Sequence, residues 1–336
     1  MDGLRKSLLD SGANDPVERV LELHRLEKQK LTVAFSGGLD STVLLHSLVR
    51  FMQKLSAAGA QRAVEFKSVS SINAVHIHHG LSPNADLWAA HCMRTADDLG
   101  VSLTVVHVEV DASSGKGIED AARKIRLSAL LTHASGLVCM AHHADDQAET
   151  VLHNLLRGTG LRGAAGMPVF HHRIFRPFLG LRKEKLRAYA VKNELQWIED
   201  ESNQDRYFTR NFIRHEVLPS LSERFPRCSE QISNAARRFS DAQLLLDELA
   251  LVDLGKDQFI FPVEVSLIRR LSELRAKNLL RSLLSGHQVQ PPDERRLNEF
   301  IRQIFTAARG RHPCLDMLAY RLWVSHGWLH FEKISS

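Results

Sequence analysis

Along the first two thirds of the chain, short apolar runs alternate with longer stretches in which apolar residues recur every three or four positions. Runs at Leu31–Phe35, Ile72–Ile77, Leu103–Val108 and Leu137–Ala141 predict strands. The stretches at Ser41–Phe51, Asp86–Leu99, Gly117–His133 and Asp145–Leu156 predict helices. Repeated strand–helix units bury continuous apolar strands beneath helices, so the pattern predicts an α/β domain with a doubly wound parallel sheet. From Arg224 to Leu249 a helical period continues, with Ala236 and Ala242 set among Ile232, Phe239, Leu244, Leu245 and Leu249. The tail carries strand-like runs at Phe259–Val263, Trp323–Val324 and Trp328–Phe331, with helical patterning at Ser266–Ser285 and Asp293–Ala308. We therefore expect a large domain over 1–219, a linker helix over 220–252, and a smaller α/β or mostly helical domain over 253–336.

Composition sets the compartment and the partner. Hydrophobic residues make up 44% and charged residues 25%, values of a folded globular protein that exclude a disordered or fibrous chain. The first residues, MDGLRKSLLDSGAND, contain no signal-type apolar stretch, and no run of about 18 apolar residues occurs anywhere. A cytoplasmic protein without membrane association is expected. Cys92, Cys139, Cys228 and Cys314 form no CxxC pair, which argues against a zinc ribbon, a redox pair or an iron–sulfur cluster. The net charge is +5, while residues Arg157 to Arg214 hold 12 Lys and Arg against 6 Asp and Glu, or +6. That segment alone accounts for the excess; it is either a solvated basic face or a track for a phosphate backbone.

The unusual residues follow the predicted strands, on the edge where parallel sheets bind ligands. After the first comes Ser36-Gly37-Gly38-Leu39-Asp40-Ser41, opening a helix. Glycines tolerate positive φ and let backbone N–H groups approach phosphate oxygens, and the helix N-terminus adds donors and a favourable dipole. Asp40 is placed to share Mg²⁺ with such phosphates. This loop is neither GxxxxGK[ST] nor GxGxxG, so it is not a Walker or Rossmann loop; a tight turn capped by Asp40 is the plain structural alternative. After the second strand, His76, His78, His79 and Gly80 suit hydrogen bonding and close backbone approach near a nucleotide better than metal binding.

Beyond the third strand, Glu119 and Asp120 precede Arg123 and Arg126 on one helix. Either Glu119 pairs with Arg123 within the helix, or the guanidinium groups clamp the α-phosphate or the leaving pyrophosphate. After the fourth, His142 and His143 lead into Asp145, Asp146 and Glu149. Asp145 is expected to cap that helix, leaving Asp146 and Glu149 towards the sheet edge, with Asp146 as general base or as metal ligand alongside Asp40. Gly158, Gly160, Gly163 and Gly166 predict a mobile loop, to which Arg157 and Arg162 give an anionic target.

The first loop resembles the pyrophosphate-binding loop of the N-type ATP pyrophosphatases. Those enzymes cleave ATP between its α and β phosphates, adenylate a carbonyl oxygen, and let a nitrogen or sulfur nucleophile displace AMP. The resemblance implies an adenine nucleotide alpha hydrolase-like fold, ATP and Mg²⁺ as cofactors, and ATP binding by Ser36, Gly37, Gly38, Leu39, Asp40, Ser41, His79 and Gly80. The strings HHADDQAET, LLRGTGLRGAAGMP, RPFL and WIEDESNQDRYFTRNFIRHEVLP narrow it: from about Thr32 to Pro219 the chain is similar to the tRNA(Ile)-lysidine synthetases.

In that family the ε-amine of free L-lysine replaces the C2 oxygen of the wobble cytidine in the CAU anticodon of tRNA(Ile). By resemblance, Asp40, Asp146, Arg123 and Arg126 are the catalytic candidates. Arg157, Arg162, Arg173, Lys183, Arg210 and Arg214 are the tRNA-binding ones. Asp200, Glu201 and Arg210 are candidates for holding lysine on charge alone, where capping and packing would serve as well. The reading leaves room for a homodimer. Leu127 and His78 depart from the aromatic and the asparagine usual at those points of the family pattern, and the tail has space for about one domain where some members carry two. Two rivals stand beside this reading: a thiolase built on the same loop, and a tRNA-binding protein that has lost catalysis.

Overall fold

The computed structural model of the chain describes residues 15–17, 20, 30–57, 71–78, 80, 82–108, 118–199, 209–308 and 311–334, setting aside the side chains of 55–57 and 118–123. Two compact units form, Met1–Arg238 and Phe239–Ser336, and the division falls inside a helix, Cys228–Leu254, that the sequence pattern had set apart as a linker.

In the first unit β1 (Lys30–Ala34) leads to α1 (Leu39–Ala57), β2 (Ser71–His78) to α2 (Ala85–Asp98), β3 (Ser102–His107) to α3 (Ile118–His133), and β4 (Leu137–Cys139) to α4 (Ala144–Leu156). There follow α5 (Leu161–Ala164), the short strands β5 (Phe170–His171) and β6 (Ile174–Phe175), and α6 (Lys183–Lys192). The sheet order is β3-β2-β1-β4-β6-β5, parallel except for the β5–β6 pair. β1 is central, with Leu31, Thr32 and Val33 wholly buried. The Thr32 hydroxyl survives there because it accepts the Ser135 N–H (3.1 Å) and lies 2.8 Å from the Ser135 carbonyl. β2 and β3 lie on one side of β1 and β4 on the other, so the carboxyl ends of β1 and β4 flank the switch point of the sheet.

The last part of this unit is one helical run of uneven pitch. α7 (Thr209–Phe212) passes into a π-turn over Ile213–Val217 and then into α8 (Leu218–Arg224), with Pro219 tolerated in the first turn of α8. α9 (Cys228–Leu254) begins after a break at Phe225–Arg227, later than the pattern suggests.

The second unit holds β7 (Val263–Glu264), α10 (Val265–Arg270), α11 (Glu273–Gly286), α12 (Glu294–Thr306), β8 (Cys314–Asp316), β9 (Tyr320–Ser325) and β10 (Trp328–Lys333). Its strands form an antiparallel sheet in the order β7-β10-β9-β8. The expected 266–285 helix is broken at Leu271–Ser272, where the Ser272 hydroxyl accepts the Arg275 N–H and starts α11 afresh. On α12 Leu297, Phe300, Ile301 and Ile304 make a helical stripe that is buried with Tyr320, Leu322 and Leu329 of the sheet.

Candidate active site

Gly37 and Gly38 turn the chain out of β1 and into α1. Gly37 has φ +79, and a Cβ there would lie 2.9 Å from Cys92 Sγ and 3.2 Å from Ile198 Cδ1, so only glycine fits. The Ile198 N–H donates to the Gly37 carbonyl (2.9 Å), which fastens the turn from outside. The hydroxyls fold inward: the Ser36 N–H donates to Ser41 Oγ (3.2 Å), and Thr42 Oγ1 donates to the Gly38 carbonyl (3.0 Å). Asp40 sits in the first turn of α1, where the helix dipole favours a carboxylate.

Facing this turn across the switch point is the loop between β4 and α4. His143 is buried at the N-terminus of α4, and its Nε2 lies 3.6 Å from Asp40 Oδ2 and 3.5 Å from Asp146 Oδ2. Its Nδ1 is 3.5 Å from Asp145 Oδ2. Asp146 Oδ2 also accepts the backbone N–H of His143 (3.0 Å), and this closes the first turn of the helix. Asp145, expected to cap α4, instead accepts the Lys183 N–H (2.9 Å) and caps α6. Burial alone would raise the Asp145 pKa, but His143, the Lys183 N–H and Ser229 hold it well below the usual carboxylate range.

Burial would likewise lower the His143 pKa, but Asp145, Asp40 and Asp146 together outweigh it and raise it from 6.5 to about 10. At neutral pH the ring is an imidazolium among carboxylates. A raised folded pKa contributes stability that is complete below 6.5 and is lost as pH climbs to about 10. Melting temperatures of the nucleotide-free protein should accordingly fall across that interval, and His143→Asn should flatten the profile. Identical slopes for the two proteins would rule out the cluster as drawn.

The carboxylates of α4 have a second partner. Arg214, on the π-turn, donates from Nε to Glu149 Oε1 (2.5 Å) and from Nη2 to Glu149 Oε2 (2.9 Å) and Asp146 Oδ1 (3.2 Å). Burial raises the Glu149 pKa, against which Arg214 acts. π-Turns recur where a helix must aim a functional side chain. Arg214, read from sequence as an RNA contact, makes this ion pair with its side chain 38% exposed.

The remaining expected residues divide. Arg173, expected as an RNA contact, is exposed, and its guanidinium donates to the carbonyls of Gly136 (3.0 Å), Leu131 (3.3 Å) and Ala134 (2.7 Å) and so ties down the end of α3. His76 is buried with Nδ1 2.9 Å from the Phe35 carbonyl, and His78 faces Asp86 (2.9 Å). Gly80 has φ +63. Arg126, Arg157, Arg162 and Lys183 are exposed, and Arg210 is half-buried on α7. His79, Asp200, Glu201 and the side chains of Glu119, Asp120 and Arg123 lie outside the described residues. The glycine-rich stretch after α4 folds into α5 and is held by side chains of α4, where a mobile loop was expected. Sequence reasoning missed Gln147, the residue that does most of this holding; a buried amide beside three acidic residues was its only signal.

A mostly parallel sheet with SGGLDS at its switch point and an acidic helix opposite defines a PP-loop nucleotide-binding protein, and the PP-loop domain family matches residues 13–221. The TilS substrate binding domain family matches residues 264–330. A tRNA(Ile)-lysidine synthase of Alkalilimnicola ehrlichii is 45% identical over 84% of this chain and 62% of its own length. One of Pseudomonas fluorescens is 37% identical over 90% of this chain and 70% of its own. The chain belongs to the tRNA(Ile)-lysidine synthase family. It spans 62%, 64% and 59% of the length of three of the curated relatives it matches. Among solved structures, the U34-tRNA thiolase NcsA from Methanococcus maripaludis has the same fold, with a TM-score of 0.53 at 15% identity over 66% of this chain and 77% of that one.

Proposed function

We propose that the chain is an ATP-dependent ligase that forms lysidine at the wobble cytidine of the CAU anticodon of tRNA(Ile), with L-lysine as the nucleophile. The observation that carries this is the convergence of Asp40 and Asp146 on one buried ring nitrogen, at 3.6 and 3.5 Å, from opposite sides of the switch point. Cytidine C2 is a poor electrophile until its oxygen is adenylated. That oxygen attacks the α-phosphorus of ATP and pyrophosphate leaves; the lysine ε-amine then attacks C2, loses a proton, and AMP departs. The SGGLDS turn would cradle the phosphates with backbone N–H groups and the α1 dipole. Asp146 would take the amine proton.

Among the described residues no cluster of three or more His, Cys, Asp and Glu could hold a metal ion. Magnesium needs none, since it takes one or two carboxylates and completes its shell with phosphates and water. Asp40 Oδ1 is buried without a hydrogen-bond partner, a donor atom that suits a cation. Asp40 and Asp146 would hold Mg²⁺, which when bound supplies charge neutralisation to the phosphates. The arginine pair Arg123 and Arg126, the RNA contacts of Arg157, Arg162, Arg173, Lys183, Arg210 and Arg214, and lysine binding by Asp200, Glu201 and Arg210 remain part of the proposal, as do a cytoplasmic setting and a homodimer.

Thiolase chemistry fits less well. Cys92 and Cys139 are both buried, which pushes each thiol up to about 12 and leaves little thiolate for sulfur transfer. Incubating the protein with ATP, radiolabelled lysine and transcripts of the CAU tRNA(Ile) or of the methionine tRNA should label the first alone and release AMP. Label without ATP, or equal label on both transcripts, would refute the assignment.

A further inference from the structure

Gln147 follows Asp146 directly on α4, and its side chain is buried, with 4% of the residue exposed. It faces the chain between Gly158 and Met167. Its Oε1 accepts the Met167 N–H (2.8 Å), and its Nε2 donates to the carbonyls of Met167 (2.9 Å) and Ala165 (3.3 Å). Two turns further along the helix, Asn154 Nδ2 donates to the Gly163 carbonyl (2.9 Å). Glycine makes this approach feasible: Gly166 has φ +64, and a Cβ there would lie 2.7 Å from Gln147 Oε1. A Cβ on Gly163 would fall 1.8 Å from Thr159 Oγ1. A primary amide matches a peptide group donor for acceptor, so Gln147 binds this backbone as a neighbouring strand would, but from a helix.

The consequence is a rigid block. Residues 158–167 become an extension of the helix that carries Asp146 and Glu149 in its first turns; Arg157 is exposed where that helix ends and Arg162 is exposed on the extension. We propose that Gln147 is a positioning residue: it fixes the glycine-rich segment so that Arg157 and Arg162 meet the RNA backbone in register with Asp146. The proposal rests on the tRNA-modifying reaction proposed above and adds to it how the RNA is indexed against the carboxylates. Phosphate contacts set register, and they do so only if the groups that make them are themselves held.

The test compares wild type, Gln147→Ala, Gln147→Glu, the double variant Arg157→Ala/Arg162→Ala, and the triple variant. Anisotropy with a labelled CAU tRNA(Ile) transcript gives Kd, and steady-state labelling gives KM for ATP, lysine and tRNA. Gln147→Ala should raise Kd and KM for tRNA about tenfold while KM for ATP stays within about twofold. Gln147→Glu keeps the acceptor but turns an anion towards two carbonyls, so it should rescue nothing. Adding Gln147→Ala to the arginine double variant should change Kd by no more than about twofold, because both act through the same contacts.

Trypsin should also cut after Arg157 and Arg162 faster in Gln147→Ala. Unchanged tRNA affinity, full additivity with the arginines, or an equal rise in all three KM values would overturn the proposal; the last is what general destabilisation gives. Wild type that binds the transcript yet makes no lysidine would remove the reaction and leave the binding comparison to judge Gln147. Wild type that makes lysidine, with Gln147→Ala indistinguishable from it, would remove only the positioning role.

Discussion

Asp146→Ala should lower lysine transfer to tRNA(Ile) by about three orders of magnitude, the scale lost when a positioned general base is removed. The side chain has three attachments: the His143 N–H at 3.0 Å, the His143 ring at 3.5 Å and Arg214 at 3.2 Å. Truncation therefore also removes a helix-terminal hydrogen bond worth about 1 kcal/mol. Asp146→Asn separates the two effects. Its amide oxygen can still accept the His143 N–H, so its unfolding free energy should stay within about 1 kcal/mol of wild type, yet it cannot take up a proton and should be as inactive as the alanine variant. Single-turnover labelling and chemical denaturation of both proteins check this. An asparagine variant with wild-type rate would strip Asp146 of its role.

Arg214→Leu should destabilise the first unit by about 2 kcal/mol. Breaking a fully buried ion pair costs about 3–5 kcal/mol because a charge is left behind. The Glu149 side chain is 7% exposed, but that of Arg214 is 38% exposed, so water softens the loss. The pH dependence follows from Glu149, whose pKa burial already raises and which loses its counter-ion in the variant. A carboxyl with raised folded pKa binds its proton more tightly folded than unfolded, so the variant's deficit shrinks at acid pH and grows as pH rises through that pKa. Denaturation midpoints at pH 5 and pH 8 should diverge accordingly; a deficit independent of pH would mean that Glu149 is stabilised by something other than Arg214.

Local pattern revealed most of the first unit. β1 to β4 and α1 to α4 stand where alternating periods put them, and SGGLDS and HHADDQAET fall at strand ends because turn chemistry is written in adjacent residues. What escaped was long-range pairing. Arg214 and Glu149 are 65 residues apart, and an arginine in a basic segment looks the same whether it meets RNA or a buried carboxylate. Arg173 is the same case, since backbone carbonyls at a helix end have no side-chain signature. Asp145 sits at a good capping position for α4 but caps α6, a choice made by packing. The β5–β6 hairpin has strands of two residues each, too short to show a period, and the split at Ser272 was hidden by apolar periodicity running across it.

The π-turn over Ile213–Val217 lets this helix seat apolar and charged contacts together. Ile213 and Leu218 are both buried against Ala148, and Arg214 grips the next residue, Glu149. Residues five apart in a regular α-helix point about 140° away from each other. One extra residue in the turn brings them to the same side. It works as a shim: with all residues kept at regular pitch, Leu218 would swing away from Ala148 while Ile213 and Arg214 stayed in place, and the helix would seat its charged contact but only half of its apolar one.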